Sequence, residues 1–74
     1  MRGYVVNRSL GGLALHLPKA LASRAGLMLR AEHAPLRVTG VHVEVRHCTR
    51  AGNSWLIGVS FLSTPPADVL LTFG

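Results

Sequence analysis

The alternation of apolar and polar side chains is clearest between residues 41 and 48. Valine occupies positions 41, 43 and 45, so the three valines share one face of an extended strand and the residues between them share the other. Residues 51–53 then predict a hairpin turn, and residues 54–62 predict the returning strand. The returning strand has apolar residues on both faces, which favours a central position in a sheet or closure around a core.

Shorter apolar segments predict further strands at residues 4–6, 13–17 and 27–30. Residues 18–26 predict a turn or a single helical turn that ends at Gly26. Pro35 interrupts the chain, and residues 37–40 predict a short extension of the valine strand.

The C-terminal segment starts after Pro65 and Pro66, which end the returning strand, and residues 67–73 predict either a final strand or a short helix. Five or six short strands joined by turns indicate an all-β sandwich or a small barrel. The chain contains no internal repeat and no linker, so residues 1–74 predict one domain.

The composition agrees with a small globular domain. Hydrophobic residues make up 49% of the 74 residues, which is enough for a packed core. No apolar run approaches the roughly 20 residues of a membrane span, and the first residues lack the apolar stretch of a signal peptide. Cys48 is the only cysteine, so an internal disulfide cannot form. These features predict a cytoplasmic protein.

The formal net charge is +5, and most of the positive charge comes from arginine. The arginines are Arg2, Arg8, Arg24, Arg30, Arg37, Arg46 and Arg50. Because guanidinium groups present a planar fork of donors to phosphate and also stack on bases, an anionic partner fits this composition. An ordinary solvated surface that carries arginine in place of lysine fits it as well.

A polar, glycine-containing turn is predicted at residues 7–12, Asn-Arg-Ser-Leu-Gly-Gly. Short polar side chains at Asn7 and Ser9 supply donors and acceptors, and glycine lets the backbone approach a ligand. A plain connection between strands, in which Asn7 and Ser9 cap backbone groups, is the alternative.

Catalytic machinery is not indicated by the sequence. The three carboxylates Glu32, Glu44 and Asp68 are far apart along the chain, so they suggest no acid–base pair. His47 and Cys48 are neighbours on a predicted strand and should point to opposite faces, which prevents a nucleophile–base pair. We therefore expect a protein that is not an enzyme.

A metal site is not expected either. His42, His47 and Cys48 lie within seven residues, but regular alternation would put His42 and Cys48 on one face and His47 on the other. Structural zinc sites usually have four ligands, recruited from closely spaced pairs.

A family resemblance runs through most of the chain. The pattern Asn7-x-Ser9-x-x-Gly12, followed by an apolar strand, resembles the (Asp/Asn)-x-Ser-x-x-Gly motif of PilZ domains. Residues 17–18 followed by 26–29 resemble the loop into the family's next strand, and residues 43–48 resemble the strand before its last hairpin. Residues 55–61 resemble its closing strand, with glycine three residues before phenylalanine.

The resemblance implies a small β-barrel of five to six antiparallel strands that binds cyclic di-GMP, with no other cofactor. The motif residues are then the ligand contacts, namely Asn7, Arg8, Ser9, Gly11 and Gly12. Asn7 has an amide suited to a guanine edge, and Ser9 can donate or accept nearby. The two glycines admit the ligand to the backbone, and Arg8 can reach a phosphate or stack on a base.

The sequence departs from the family pattern upstream of the motif. PilZ domains carry an Arg-x-x-x-Arg pair there, whereas only six residues precede Asn7 and Arg2 is the single arginine among them. We expect Arg2 and Arg8 to replace the pair in part at best. The family's first strand is also expected to be absent, and the resulting open edges favour a homo-oligomer or contact with a neighbouring domain.

The sequence therefore predicts a non-enzymatic cyclic di-GMP-sensing module that acts through a protein partner. A degenerate PilZ-like interaction module that no longer binds the ligand is the alternative. Nucleic-acid binding is not favoured, because only four residues are aromatic and stacking platforms are scarce.

Overall fold

Five antiparallel strands curl into a half-barrel in the structure, a computed structural model that describes residues 2–9, 11–32, 40–63 and 65–71. The elements are β1 (Tyr4–Arg8), β2 (Gly12–Leu17), β3 (Gly26–Leu29), β4 (Val41–Ala51), β5 (Ser54–Phe61) and the helix α1 (Ala67–Leu71). The strand order is β1-β2-β5-β4-β3. The predicted all-β, barrel-like fold is confirmed, and the C-terminal segment forms the helix rather than a sixth strand.

The core fills the inner side of the curled sheet. It contains Leu13, Leu15, Leu17, Val41, Val43, Val45, Ile57, Val59 and Val69. The prediction that residues 54–62 form a central strand is confirmed, since β5 pairs with β2 on one side and with β4 on the other. Val69 belongs to α1 and is 8% exposed, so the short helix contributes to the same core. The break predicted at Pro35 and the extension at residues 37–39 lie outside the described residues.

A β-bulge in β4 changes which side chains face the core. Val45 pairs with Val59 and His47 pairs with Gly58, so Arg46 is an extra residue on β4. Beyond the bulge, Cys48 pairs with the buried Ile57 and packs against the core.

The expectation that His42 and Cys48 share a face is therefore wrong. His42 and His47 are both exposed, while Cys48 is half-buried on the inner side. The physical reason is the extra residue Arg46, which reverses the alternation for the rest of the strand.

A second bulge lies in β1, an edge strand of the sheet. Val5 pairs with Leu15 and Asn7 pairs with Ala14, which makes Val6 the extra residue. The strand predicted at residues 4–6 is longer than expected, because Asn7 and Arg8 are also paired with β2.

Candidate ligand-binding site

The turn that contains the polar motif is shorter than predicted. Asn7 and Arg8 belong to β1 and Gly12 begins β2, so Ser9 and Gly11 lie in the connection between the two strands. The backbone N–H of Ser9 donates to the Gly12 carbonyl at 2.9 Å, and the Gly11 carbonyl accepts from the N–H of Phe61 at 2.9 Å. These two hydrogen bonds fix the connection to both β2 and β5.

The polar side chains of the motif make local hydrogen bonds. The Asn7 Oδ1 atom accepts the backbone N–H of Arg8 at 2.8 Å, and the Ser9 hydroxyl donates to the Gly12 carbonyl at 3.5 Å. Such bonds are what a plain connection would contain, and at 3.5 Å the second is weak. Asn7 and Ser9 both remain exposed, so either side chain can exchange its local bond for a ligand.

A transverse row of outer-face residues runs across four strands beside this connection. Asn7 pairs with Ala14, Ala14 pairs with Gly58, and Gly58 pairs with His47. The two middle residues are small, so the row forms a shallow floor with a polar side chain at each end. Without the bulges at Val6 and Arg46, Asn7 and His47 would not lie on this face.

The His47 imidazole covers Gly58. Three ring atoms, Nε2, Cε1 and Cδ2, lie closer to the position of a Cβ on residue 58 than real Cβ atoms allow. The ring therefore lies across the α-carbon of Gly58, and a larger residue at 58 would displace it. Glycine at the position three residues before Phe61 therefore lets the ring rest directly on the backbone.

Gly11 and Gly12 have different roles. A Cβ on Gly12 would overlap the Val59 carbonyl oxygen and would lie 3.0 Å from the Ser60 α-carbon, whereas a Cβ on Gly11 would meet nothing within 4 Å. Gly12 is therefore required by the close packing of β2 on β5, and Gly11 is the glycine with open space beside it.

The charged groups beside the site are two arginines that share one carboxylate. Glu44 Oε1 lies 3.3 Å from Arg46 Nη1 and 3.8 Å from Arg24 Nη1. Arg24 has a left-handed backbone, with φ of 68°. Its N–H donates to the Val45 carbonyl at 2.7 Å, which ties it to β4 next to the bulge. The cluster carries more positive than negative charge and suits an anion.

The motif residues, the row across the four strands and Arg46 line a depression of about 280 Å³, which we call the motif depression. Its lining includes all five residues predicted as ligand contacts, Asn7, Arg8, Ser9, Gly11 and Gly12. It also includes Arg46 and His47, which sequence reasoning did not assign to the site. Regular alternation puts Arg46 and His47 on opposite faces of β4. The bulge that brings both to the outer face leaves no recognisable pattern in the sequence.

Arg2 lies elsewhere. Its Nη2 atom is 3.1 Å from Glu32 Oε1, and its side chain lines an opening between β1 and β3 instead of the motif depression. Of the two arginines considered as replacements for the family's arginine pair, Arg8 is at the depression and Arg2 is not.

Two further properties concern only the described ranges of the chain. They hold no group of three or more His, Cys, Asp or Glu side chains that could bind a metal ion. Their one helix, α1, is too short to cross a membrane.

Comparison with known proteins identifies the family. The family model of the PilZ domain matches residues 1–73, nearly the whole chain. No curated protein and no solved structure matches the chain. The matched residues include the motif, both bulged strands and the hairpin between β4 and β5, so the chain belongs to the PilZ domain family.

Proposed function

We propose that this chain is a non-enzymatic receptor module that binds cyclic di-GMP in the motif depression. PilZ domains are in general cyclic di-GMP receptors, and membership of the family is the first support for the proposal. The observation that carries it is the position of the motif. Asn7, Ser9 and Gly11 line one depression that also has two arginines at its border, Arg8 and Arg46.

The chemistry of these groups matches the ligand. Cyclic di-GMP presents two guanine edges and two phosphates in one ring. The Asn7 side chain has both an amide donor and a carbonyl acceptor for a guanine edge, and the Ser9 hydroxyl adds a second contact. The guanidinium of Arg8 suits a phosphate, because charge-assisted hydrogen bonds are about twice as strong as neutral ones. Gly11 leaves open space beside the backbone, where the ligand can approach.

Ligand binding would then alter how the module contacts a protein partner, a neighbouring domain or a second copy in the cytoplasm. The edge strand β1 is the surface best suited to that contact, since it carries the exposed side chains of Tyr4 and Val6. It also adjoins the motif depression through Asn7 and Arg8, so a bound ligand would lie next to it.

Isothermal titration calorimetry with cyclic di-GMP tests the proposal. The variant Asn7→Ala/Ser9→Ala should bind roughly 10- to 100-fold more weakly than the wild type, because each lost hydrogen bond contributes about 0.5–1.5 kcal/mol. The matched control is Asn53→Ala/Ser63→Ala, which removes the same two side-chain types at exposed positions outside the depression.

The outcomes separate the two parts of the proposal. Absence of binding by the wild-type chain at high micromolar ligand would overturn the receptor function. Binding that Asn7→Ala/Ser9→Ala leaves unchanged would overturn the site. Thermal unfolding of all three proteins should give similar midpoints, since the four substituted side chains are outside the core.

A further inference from the structure

We infer that Arg46 and His47, which the β4 bulge leaves together on the outer face, form the second half of the ligand site. In this arrangement His47 stacks on a guanine base and Arg46 binds a phosphate. The inference rests on the proposed function, because it concerns the same depression and the same ligand.

The stacking surface follows from the contact between His47 and Gly58. One side of the imidazole lies against the Gly58 α-carbon, while His47 as a whole is exposed. The ring therefore rests on the Gly58 backbone, and His47 keeps exposed surface that a base can contact. Histidine rings are among the side chains on which unpaired bases stack, and such stacking does not depend on the identity of the base.

The spacing between the two ends of the row suits one base. Because the His47 ring lies over Gly58, it is two strands away from Asn7 in the paired row. Two strand spacings are about 10 Å. The residue between the ring and Asn7 in this row is Ala14, whose small side chain leaves room for a planar group on the ring with its edge directed at the Asn7 amide.

The phosphate contact follows from the position and partners of Arg46. Arg46 is the extra residue of the bulge, is exposed, and lines the depression together with Arg8. Its guanidinium lies 3.3 Å from Glu44, a carboxylate that Arg24 also contacts. Since Glu44 has a second cation, Arg46 can turn to a phosphate without leaving the carboxylate alone.

Calorimetry with cyclic di-GMP on single β4 variants tests this inference. His47→Ala and Arg46→Ala should each weaken binding roughly tenfold, the scale of one lost stacking or charge-assisted contact. The controls are His42→Ala and Arg50→Ala, which remove the same side-chain types from exposed positions of β4 outside the depression. Neither control should change the affinity by more than about twofold.

Three further measurements distinguish contact from a structural effect. His47→Phe should restore most of the affinity lost in His47→Ala, because a phenyl ring stacks without any hydrogen bond. Gly58→Ala should weaken binding as His47→Ala does, since the added Cβ displaces the ring. Arg46→Ala should reduce the salt dependence of the dissociation constant, whereas His47→Ala should leave it unchanged.

The results separate this inference from the proposed function. Wild-type binding that depends on Asn7 and Ser9 but not on Arg46 or His47 would overturn the inference and leave the receptor function intact. Absence of binding by the wild type would overturn both. A tenfold loss in His47→Ala that His47→Phe fails to restore would overturn the stacking role.

Discussion

Two openings of the described structure are bounded in different ways. The motif depression lies on the outer face beside Ala14, with charged or polar groups at the border. The other opening, between β1 and β3, is lined by the charged residues Arg2, Arg30 and Glu32 and by Leu15, Leu17 and Leu29. Leu15 and Leu17 belong to the core, so the core forms part of the wall of the second opening, whereas the first contains the motif residues. Substitutions at the two openings should separate binding from stability.

The largest effect is expected from Leu17→Ala at the β1–β3 opening. Leu17 is only 7% exposed, and removing a buried leucine side chain costs about 2–5 kcal/mol of unfolding free energy. Met28→Ala is the control, because Met28 lines the same opening but is 61% exposed. Urea unfolding should show a loss below about 1 kcal/mol for Met28→Ala. Equal losses in the two variants would contradict the assignment of this opening to the core wall.

A smaller effect on stability is expected within the motif itself. Gly12→Ala should lower the unfolding free energy by about 1–3 kcal/mol, because the added Cβ overlaps the Val59 carbonyl and the two strands must shift. Gly11→Ala should change it by less than about 0.5 kcal/mol, since nothing lies within 4 Å.

This pair of glycine variants would show that Gly12 is required by the packing of the fold and that Gly11 is not. Urea unfolding measures the stability of both proteins. Similar losses at the two positions would mean that Gly11 is as constrained as Gly12.

The smallest effect is expected from the carboxylate beside the motif depression. Glu44→Gln should tighten binding of cyclic di-GMP about two- to fivefold, because it removes a negative charge that competes with the ligand for Arg46. Glu32→Gln is the matched control, since Glu32 pairs with Arg2 at the other opening. Calorimetry at low salt should find that Glu32→Gln binds cyclic di-GMP with the wild-type affinity. Weaker binding in Glu44→Gln would mean that the carboxylate mainly positions Arg46.

Much of the fold could be predicted from the sequence where periodicity is strong. The valines at 41, 43 and 45 are all 5% exposed or less, and the apolar pattern on both faces of residues 54–62 correctly indicated a central strand. Local patterns could not decide the C-terminal segment, because a short, mostly apolar segment such as Ala67–Leu71 suits a strand or a helix equally.

The candidate site was only half predictable for a physical reason. Asn7 and Ser9 belong to a contiguous motif, so the sequence alone could place them together. Arg46 and His47 reach the same depression only because a bulge reverses the alternation of β4. A bulge depends on the pairing of two strands, and no property of the residues around 46 indicates it. The error about His42 and Cys48 has the same origin.

The bulge at Arg46 also divides β4 into positions that pack against the core and positions that face solvent. Val41, Val43 and Val45 before it belong to the core and Cys48 after it packs against the core, whereas Arg46 and His47 are exposed. If the proposed site is correct, sequence change at these two exposed positions can alter what the module recognises at little cost to folding. Related modules with the same bulge would be expected to diverge here first, acquiring new ligands on an unchanged scaffold.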